Sequence, residues 1–246
     1  EFNSLELFYR STEFGCRIKK TNSQKLCYFT KKDRDQVAVE DFHAFVDNPN
    51  LTVETFTLTV TENHVNLPKL IPGALKVNNF HVRFTGQQEE ILPVFSHLDP
   101  NFLKEMRLSV WSYPGMEMAK KVFGKLFELN QWKNLEKLDL CGVLTSMIPV
   151  EHWWNIPRLT LNMESNLDQL PILINHFRQA SKYRCCDITT SMRPLEIRKV
   201  IGENLPWNVF GWEHKVMLPS VRIGQADMII TIYRGRVHLI KHGDLE

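Results

Sequence analysis

The sequence predicts an α/β fold in which a parallel sheet is built from repeated strand-and-helix units. Three observations predict it. An apolar template of the form L-x-x-L-x-L recurs six times, apolar helical stripes separate several of its copies, and short β-rich runs stand at both ends. Because strands that alternate with helices pair in parallel through right-handed crossovers, this order favours a parallel sheet.

The N-terminal run predicts a β-meander of about three strands. Residues 5–9, 14–18 and 26–29 are short β-branched or aromatic runs, and polar turns separate them. A helix follows over residues 37–46, with Asp33 or Asp35 as its cap and Pro49 as its stop. We therefore predict an N-terminal segment over residues 1–50, either separate or part of one domain with residues 51–246.

The repeated template has three apolar positions in each copy. The first copy reads Val53-x-x-Phe56-x-Leu58, and successive copies begin 21 to 32 residues apart. Leucine-rich repeats have a similar period, about 20–29 residues. The last two apolar positions alternate with polar ones, as a strand with one buried face requires. The other five copies are Val77-x-x-Phe80-x-Val82, Leu103-x-x-Met106-x-Leu108, Leu135-x-x-Leu138-x-Leu140, Ile156-x-x-Leu159-x-Leu161 and Tyr183-x-x-Cys186-x-Ile188.

Three apolar positions at this spacing occur by chance at roughly 8% of possible starting residues. The template alone is therefore weak evidence for repeats, and the segments between its copies supply the stronger evidence. Residues 86–97 read as a helix disturbed by Pro93, and residues 115–130 and 167–180 carry helical stripes. We predict an irregular leucine-rich-repeat-like solenoid, with a compact α/β sheet as the alternative. It is irregular because the Asn or Cys that regular repeats place three residues beyond the template is missing.

The C-terminal part predicts a cap for the open end of the repeats. A short helix follows Pro194, and Trp207, Phe210 and Trp212 form an aromatic cluster. Residues 228–233 and 236–240 then read as two strands of a β-hairpin joined by Arg234-Gly235. An uncovered repeat would expose its apolar face and its strand edge, so we assign the hairpin to the cap.

Composition excludes several classes of protein. Apolar residues make up 43% of the chain and charged residues 24%, and no run approaches the ~20 apolar residues of a membrane span. The net charge of +2 gives no electrostatic case for direct binding of nucleic acid. The five cysteines are odd in number, which favours reduced thiols over a disulfide framework. We expect a cytoplasmic protein, with the nucleus as an alternative, and no membrane contact.

The sequence contains no recognisable catalytic or metal-binding motif. The chain has neither a phosphate-binding glycine loop nor a metal-ligand pattern, and His238 and His242 stand at the end of a predicted strand, where helical ligand spacing does not apply. Cys141 and Cys186 fall in or beside predicted strands, which favours packing over nucleophilic catalysis. We expect no catalytic residue, no metal and no cofactor. The remaining alternative is a thiol- or metal-dependent enzyme.

The candidate site is a protein-binding surface. If the strands form a concave parallel sheet, the polar positions beside the template residues line it. This lining is mixed in charge and rich in arginine, which suits a protein partner. A solvated strand face without a ligand is the alternative. The site residues are His81, Arg83, Glu105, Arg107, Lys137, Asp139, Arg158 and Thr160.

The aromatic residues divide between the core and a partner contact. Trp132 follows a helical stripe and precedes a strand, so we assign it to the core. Trp153 and Trp154 are adjacent, and both cannot easily point inward from a short helix, so one of them is a candidate for partner contact.

Four blocks of the sequence resemble one family. Residues 41–58, residues 90–95, residues 102–108 and the Gln131-Trp132-Lys133 stretch with the strand after it are similar to the FTH domain, the F-box-associated domain of nematodes. The resemblance covers roughly residues 35–180. It implies no catalytic residue.

The resemblance implies a partner through the family's usual context. Family members usually carry an F-box, here missing from the chain, which binds the Skp1-type adaptor of a cullin ubiquitin ligase. The associated domain would then hold the ubiquitination substrate. The alternative that the resemblance implies is a non-degradative adaptor that binds an RNA-binding protein in germline translational control.

Overall fold

The computed structural model describes residues 2–9, 14–20, 23–29, 50–60, 75–85, 92–112, 116–141, 152, 156–162, 169–180, 182–219 and 226–241. The chain forms two compact units, Glu1–Leu135 and Glu136–Glu246. Each unit contains a sheet and helices, so the predicted α/β class is confirmed. The boundary at residue 50 stays a prediction.

The first unit contains a sheet of six strands in the order β3-β2-β1-β4-β5-β6. The strands are β1 (Phe2–Tyr9), β2 (Phe14–Lys20), β3 (Ser23–Phe29), β4 (Thr52–Val60), β5 (Lys76–Thr85) and β6 (Glu105–Ser112). The predicted meander is confirmed, since β1, β2 and β3 pair antiparallel in succession. Strand β1 also pairs in parallel with β4, a long-range contact that local sequence does not announce. The predicted helix over residues 37–46 lies outside the described residues.

The last two template positions of each copy lie on one side of the parallel strands and form the core of this unit there. Strands β4, β5 and β6 pair in parallel in register, so Phe56 lies level with Phe80 and then Met106. The rings of Phe56 and Phe80 stack with centroids 5.3 Å apart. Burying a side chain of this size contributes roughly 1.5–3 kcal/mol. All template positions of the unit are buried, namely Val53, Phe56, Leu58, Val77, Phe80, Val82, Leu103, Met106, Leu108 and Leu135.

Among the described residues of the first unit, three helices accompany the sheet. They are α1 (Leu92–Ser96), α2 (Met116–Glu128) and α3 (Asn130–Lys133). Helix α1 buries Phe95, whose ring meets that of Phe80 edge-on at 5.1 Å. The predicted helix over residues 115–130 is confirmed, but it ends at Glu128, and α3 begins two residues later.

The second unit contains a sheet of seven strands in the order β10-β11-β12-β13-β9-β8-β7. Strands β7, β8 and β9 pair in parallel. The remaining pairs, β9 with β13, β13 with β12, β12 with β11 and β11 with β10, are antiparallel. The strands are β7 (Lys137–Cys141), β8 (Arg158–Asn162), β9 (Cys185–Thr189), β10 (Asn208–Phe210), β11 (Glu213–Leu218), β12 (Met228–Tyr233) and β13 (Arg236–Lys241).

Two helices in the described part of the second unit cover the buried side of its sheet. They are α4 (Leu170–Gln179) and α5 (Pro194–Ile201), both as predicted, and they contact each other. Phe177 of α4 stacks on Tyr183 at 4.1 Å, and the Tyr183 hydroxyl donates to the Leu239 carbonyl at 3.0 Å. The template positions of this unit are buried, namely Leu138, Leu140, Ile156, Leu159, Leu161, Tyr183, Cys186 and Ile188.

The predicted C-terminal hairpin is confirmed as β12 and β13. Its turn residues Arg234 and Gly235 have φ values of 42° and 76°, as a tight two-residue turn requires. Strand β13 then pairs antiparallel with β9 and so covers the edge of the parallel strands in this unit. Strands β10 and β11 extend the sheet beyond the hairpin, where the sequence predicted only an aromatic cluster.

Candidate protein-binding face

The polar face is the side of each sheet opposite the buried template residues, and it carries all eight predicted site residues. In the first unit, His81 of β5 lies level with Arg107 of β6, and Arg83 lies level with Ser109. Glu105 lies level with Asn79. Neighbouring strands are about 4.8 Å apart, so these side chains form continuous rows. Arg83 is exposed, whereas His81, Glu105 and Arg107 are half-buried.

A hydrogen-bond network stands at one end of the polar face in the first unit. Glu54 Oε1 accepts from Asn78 Nδ2 at 3.0 Å and from Asn79 Nδ2 at 3.2 Å. Asn79 Nδ2 also lies 3.5 Å from the Thr55 hydroxyl. These bonds join the polar side chains of β4 and β5 and hold them in place beside Glu105.

The polar face of the second unit begins with the other four predicted residues. Lys137 of β7 lies level with Arg158 of β8, which sets two cations side by side, and Asp139 lies level with Thr160. The Cys141 thiol donates to Asp139 Oδ1 at 3.4 Å. Arg158 is exposed, and the other three are half-buried.

Two further residues of this face were missed in the sequence analysis. Asp187 lies level with Thr160, and His238 lies level with Asp187. The sixth template copy could have revealed Asp187, which stands between Cys186 and Ile188 as Thr160 stands between its own template residues. No local pattern could have revealed His238, because its place depends on the register of the β9–β13 pair.

Asp187 and His238 form an ion pair on the polar face. Their atoms Oδ1 and Nδ1 are 2.6 Å apart, and both side chains are well exposed. The hydrogen bond to Asp187 raises the pKa of His238 above its ordinary value. Partial burial opposes this shift, and the charge of Asp187 adds to it.

The described tryptophans occupy different environments. Trp132 is buried as predicted, and its ring meets that of Phe127 edge-on at 4.9 Å. Trp207 is half-buried and donates from Nε1 to the Gly202 carbonyl at 2.9 Å. Trp212, at the turn between β10 and β11, is exposed. Trp153 and Trp154 lie outside the described residues.

The cysteine of the last template copy lacks the setting of a nucleophile. Burial raises the pKa of the Cys186 thiol well above its usual value, and the nearby Asp187 and Cys185 add to the shift. A raised pKa disfavours the thiolate, which is the reactive form. Within the ranges that the structure describes, no group of three or more His, Cys, Asp or Glu could hold a metal ion. Among those same residues, no helix has the length and apolar character to cross a bilayer.

Comparison with known families and proteins gives one match. The family model described as the FTH domain matches residues 59–204, which is more than half of the chain. No curated protein and no solved structure matches the chain significantly. The matched residues include all eight predicted site residues and the paired Asp187, but not His238.

Proposed function

We propose, from the premise that this chain belongs to the FTH domain family, that it is a non-enzymatic domain that binds a protein partner. The polar face of its sheets would be the binding surface. We further propose that the domain is part of an F-box protein of the nematode type. In that protein it would present a substrate to a Skp1–cullin ubiquitin ligase in the cytoplasm or nucleus.

One observation carries the proposal. The strand register aligns polar and charged side chains in rows on the side of each sheet that the core does not use. The exposed ends of Arg83 and Arg158 stand among half-buried side chains of both signs, such as Glu105 and Asp139. Arginine with mixed charge around it is typical of interfaces in which charge selects the partner.

The environment of Cys186 disfavours the alternative of a thiol-dependent enzyme that uses this cysteine. Cys186 is fully buried in strand β9, and its raised pKa keeps the thiol protonated at neutral pH. Its neighbours in the core are apolar, as expected of a cysteine used for packing. A non-enzymatic function is therefore the proposal that agrees with this environment.

The leucine-rich-repeat-like interpretation of the template belongs to the same proposal. Within each unit, buried template residues recur on parallel strands, which is the stacking that such repeats use. A repeat of this kind would present the polar positions of successive strands as one surface for a partner.

The experiment compares charge reversals on and off the polar face. Arg83→Glu tests the first unit, with Lys125→Glu on helix α2 as its matched control. Arg158→Glu tests the second unit, with Lys199→Glu on helix α5 as its control. All four side chains are exposed, so we expect no change in melting temperature. Affinity capture from a lysate of the source organism, followed by quantitative mass spectrometry, would measure partner binding.

We expect the two face variants to lose a protein that the wild type and both controls retain. A partner retained equally by all four variants would overturn the assignment of the polar face. Counting ubiquitin-modified peptides of the captured partner, with and without proteasome inhibition, would then separate a ubiquitination substrate from a partner that is not degraded. An RNA-binding protein that accumulates unmodified would favour the adaptor alternative.

A further inference from the structure

The polar face of the second unit continues past the predicted site residues into the antiparallel strands. The row that contains Asp139, Thr160 and Asp187 passes through His238 and Thr231 to Lys215 on β11. A parallel row runs from Arg236 through Tyr233 and Glu213 to Phe210 on β10. One surface therefore joins β7 to β10.

The far end of this surface exposes large apolar side chains. Phe210 is 76% exposed and Trp212 is 68% exposed, and Met217 and Tyr233 are exposed on neighbouring strands. Single exposed apolar residues are ordinary, but four of them on neighbouring strands and their turn at one end of a sheet indicate an interaction site. Phe210 and Trp212 flank Gly211, whose φ of 60° forms the turn that presents them.

Three cations lie near these apolar side chains. Lys215 and Arg236 lie on the same face, and the Arg234 guanidinium lies 5.2 Å from the centre of the Tyr233 ring. Glu213 is the one carboxylate in the row between Phe210 and Arg236 among the described strands, and Asp187 is engaged with His238. We call Phe210, Trp212, Met217, Tyr233, Lys215, Arg234 and Arg236 the aromatic–basic patch.

We propose that the aromatic–basic patch binds an extended acidic segment of a protein, one that carries an aromatic or aliphatic side chain. This inference rests on the proposed function and names the chemistry of its partner. Acidic side chains of the segment would meet Lys215, Arg234 and Arg236, and its apolar side chain would pack on Phe210 and Trp212.

Two features favour a protein segment over single-stranded nucleic acid, which aromatic and basic side chains can also bind. Glu213 lies in the middle of the row, where it would repel a phosphate backbone that is charged at every nucleotide, whereas a peptide can place an uncharged or basic residue opposite it. Strand β10 is also the edge of its sheet, so its main chain offers hydrogen bonds that an extended peptide can use. The patch lies after residue 204, where the family match ends.

The test is a selection of random linear peptides displayed on phage against the full chain. We expect enriched sequences in which Asp or Glu flank an aromatic or aliphatic residue. The most enriched peptide is then synthesised, and its affinity is measured by fluorescence anisotropy. We expect Phe210→Ser with Trp212→Ser, and separately Lys215→Glu with Arg236→Glu, to weaken it at least about tenfold.

Matched controls come from helix α5. Leu195→Ser removes an exposed apolar side chain, and Lys199→Glu reverses an exposed cation; neither should change the affinity. Enrichment without acidic residues, or equal affinity in the patch and control variants, would overturn the inference. Tighter binding of a fluorescent oligouridylate that the same patch variants abolish would overturn it in favour of nucleic acid.

These results are separable from those for the proposed function. Suppose that Arg158→Glu loses a captured partner but no peptide is selected at the patch. This result would overturn the inference about the patch and would still support the polar face as a binding surface. If acidic peptides bind the patch and capture is unchanged in Arg83→Glu and Arg158→Glu, the inference about the patch is supported and the polar face is rejected as the binding surface. Two negative results would remove both.

Discussion

At the scale of single residues, two histidines of the second unit titrate in opposite senses. His238 is exposed on the polar face, and its hydrogen bond to Asp187 raises its pKa. His214 is buried on the other side of the sheet, where desolvation and then the charge of Arg198 lower its pKa. The same residue type therefore stabilises the folded state in acid at one site and opposes it at the other.

The ion pair of His238 and Asp187 should stabilise the protein only where His238 is protonated. Because its folded pKa is raised, its contribution is fully present below the unfolded pKa of about 6.5 and is lost as pH rises through the folded pKa. We expect Asp187→Asn to lower the free energy of unfolding by about 0.5 kcal/mol near about pH 5.5 and to leave it unchanged near about pH 8.5. Urea unfolding at the two pH values measures this difference.

The buried His214 provides the comparison for that experiment. The pKa of His214 is lower in the folded state than in the unfolded state. The folded protein therefore loses stability as the pH falls from the pKa of the unfolded state toward the pKa of the folded state. His214→Gln should therefore reduce the acid-induced loss of stability, whereas Asp187→Asn should increase it. If both variants changed the free energy of unfolding by the same amount and sign at both pH values, the opposite pKa shifts assigned to His238 and His214 would be contradicted.

At the scale of elements, the C-terminal hairpin depends on one close backbone approach. A Cβ atom at Gly235 would lie 2.6 Å from the Thr190 carbonyl oxygen, and the φ of 76° at this residue disfavours any side chain. Thr190 donates from its amide to the Gly235 carbonyl at 2.8 Å, so the turn is fixed to the end of β9. We expect Gly235→Ala to destabilise the protein by about 1–3 kcal/mol.

Gly124 in helix α2 is the matched control for Gly235. A Cβ atom there has no neighbour within 4 Å, and alanine is the better helix former. Gly124→Ala should therefore stabilise the protein by about 0.5–1 kcal/mol, as measured by denaturant unfolding. A loss of stability in Gly124→Ala as large as that in Gly235→Ala would show that the hairpin turn is not special.

The Gln131-Trp132 pair, which carries part of the family resemblance, has a structural role. Gln131 is buried, and its side-chain amide donates to the Leu98 carbonyl at 2.7 Å. We expect Gln131→Ala to cost about 1–3 kcal/mol because it leaves that carbonyl without this donor. Lys133→Ala, at an exposed position of the same helix, should change stability by less than about 0.5 kcal/mol. Equal effects in thermal unfolding would argue against the structural role.

At the scale of the whole molecule, local sequence predicted what depends on local alternation. The six template copies predicted buried strand positions because apolar and polar residues alternate at the strand period, and each copy is buried. The same alternation predicted the face on which Arg83 and Arg158 lie. It could not predict that β1 pairs with β4, or that His238 meets Asp187, because those contacts depend on the register of distant strands.

The order of charges along the polar face is the property of the second unit with the most consequence for binding. From β7 to β9 the face carries both signs, the cations of Lys137 and Arg158 and the carboxylates of Asp139 and Asp187, whereas near β10 and β11 it carries exposed aromatic and basic side chains beside the one carboxylate of Glu213. A partner that spans this face would need complementary charge in the same order. Such an order fixes orientation as well as affinity.

The most direct test of the polar face is the chemical labelling of histidines with and without the captured partner. In each unit a described histidine on the face can be compared with one off it: His81 with His97 in the first, and His238 with His176 in the second. Diethyl pyrocarbonate modification, read by mass spectrometry, should slow several-fold at His81 and His238 when the partner binds, and should not change at His97 and His176. Protection of His97 and His176 with unchanged labelling of His81 and His238 would contradict the assignment of the polar face as the binding surface.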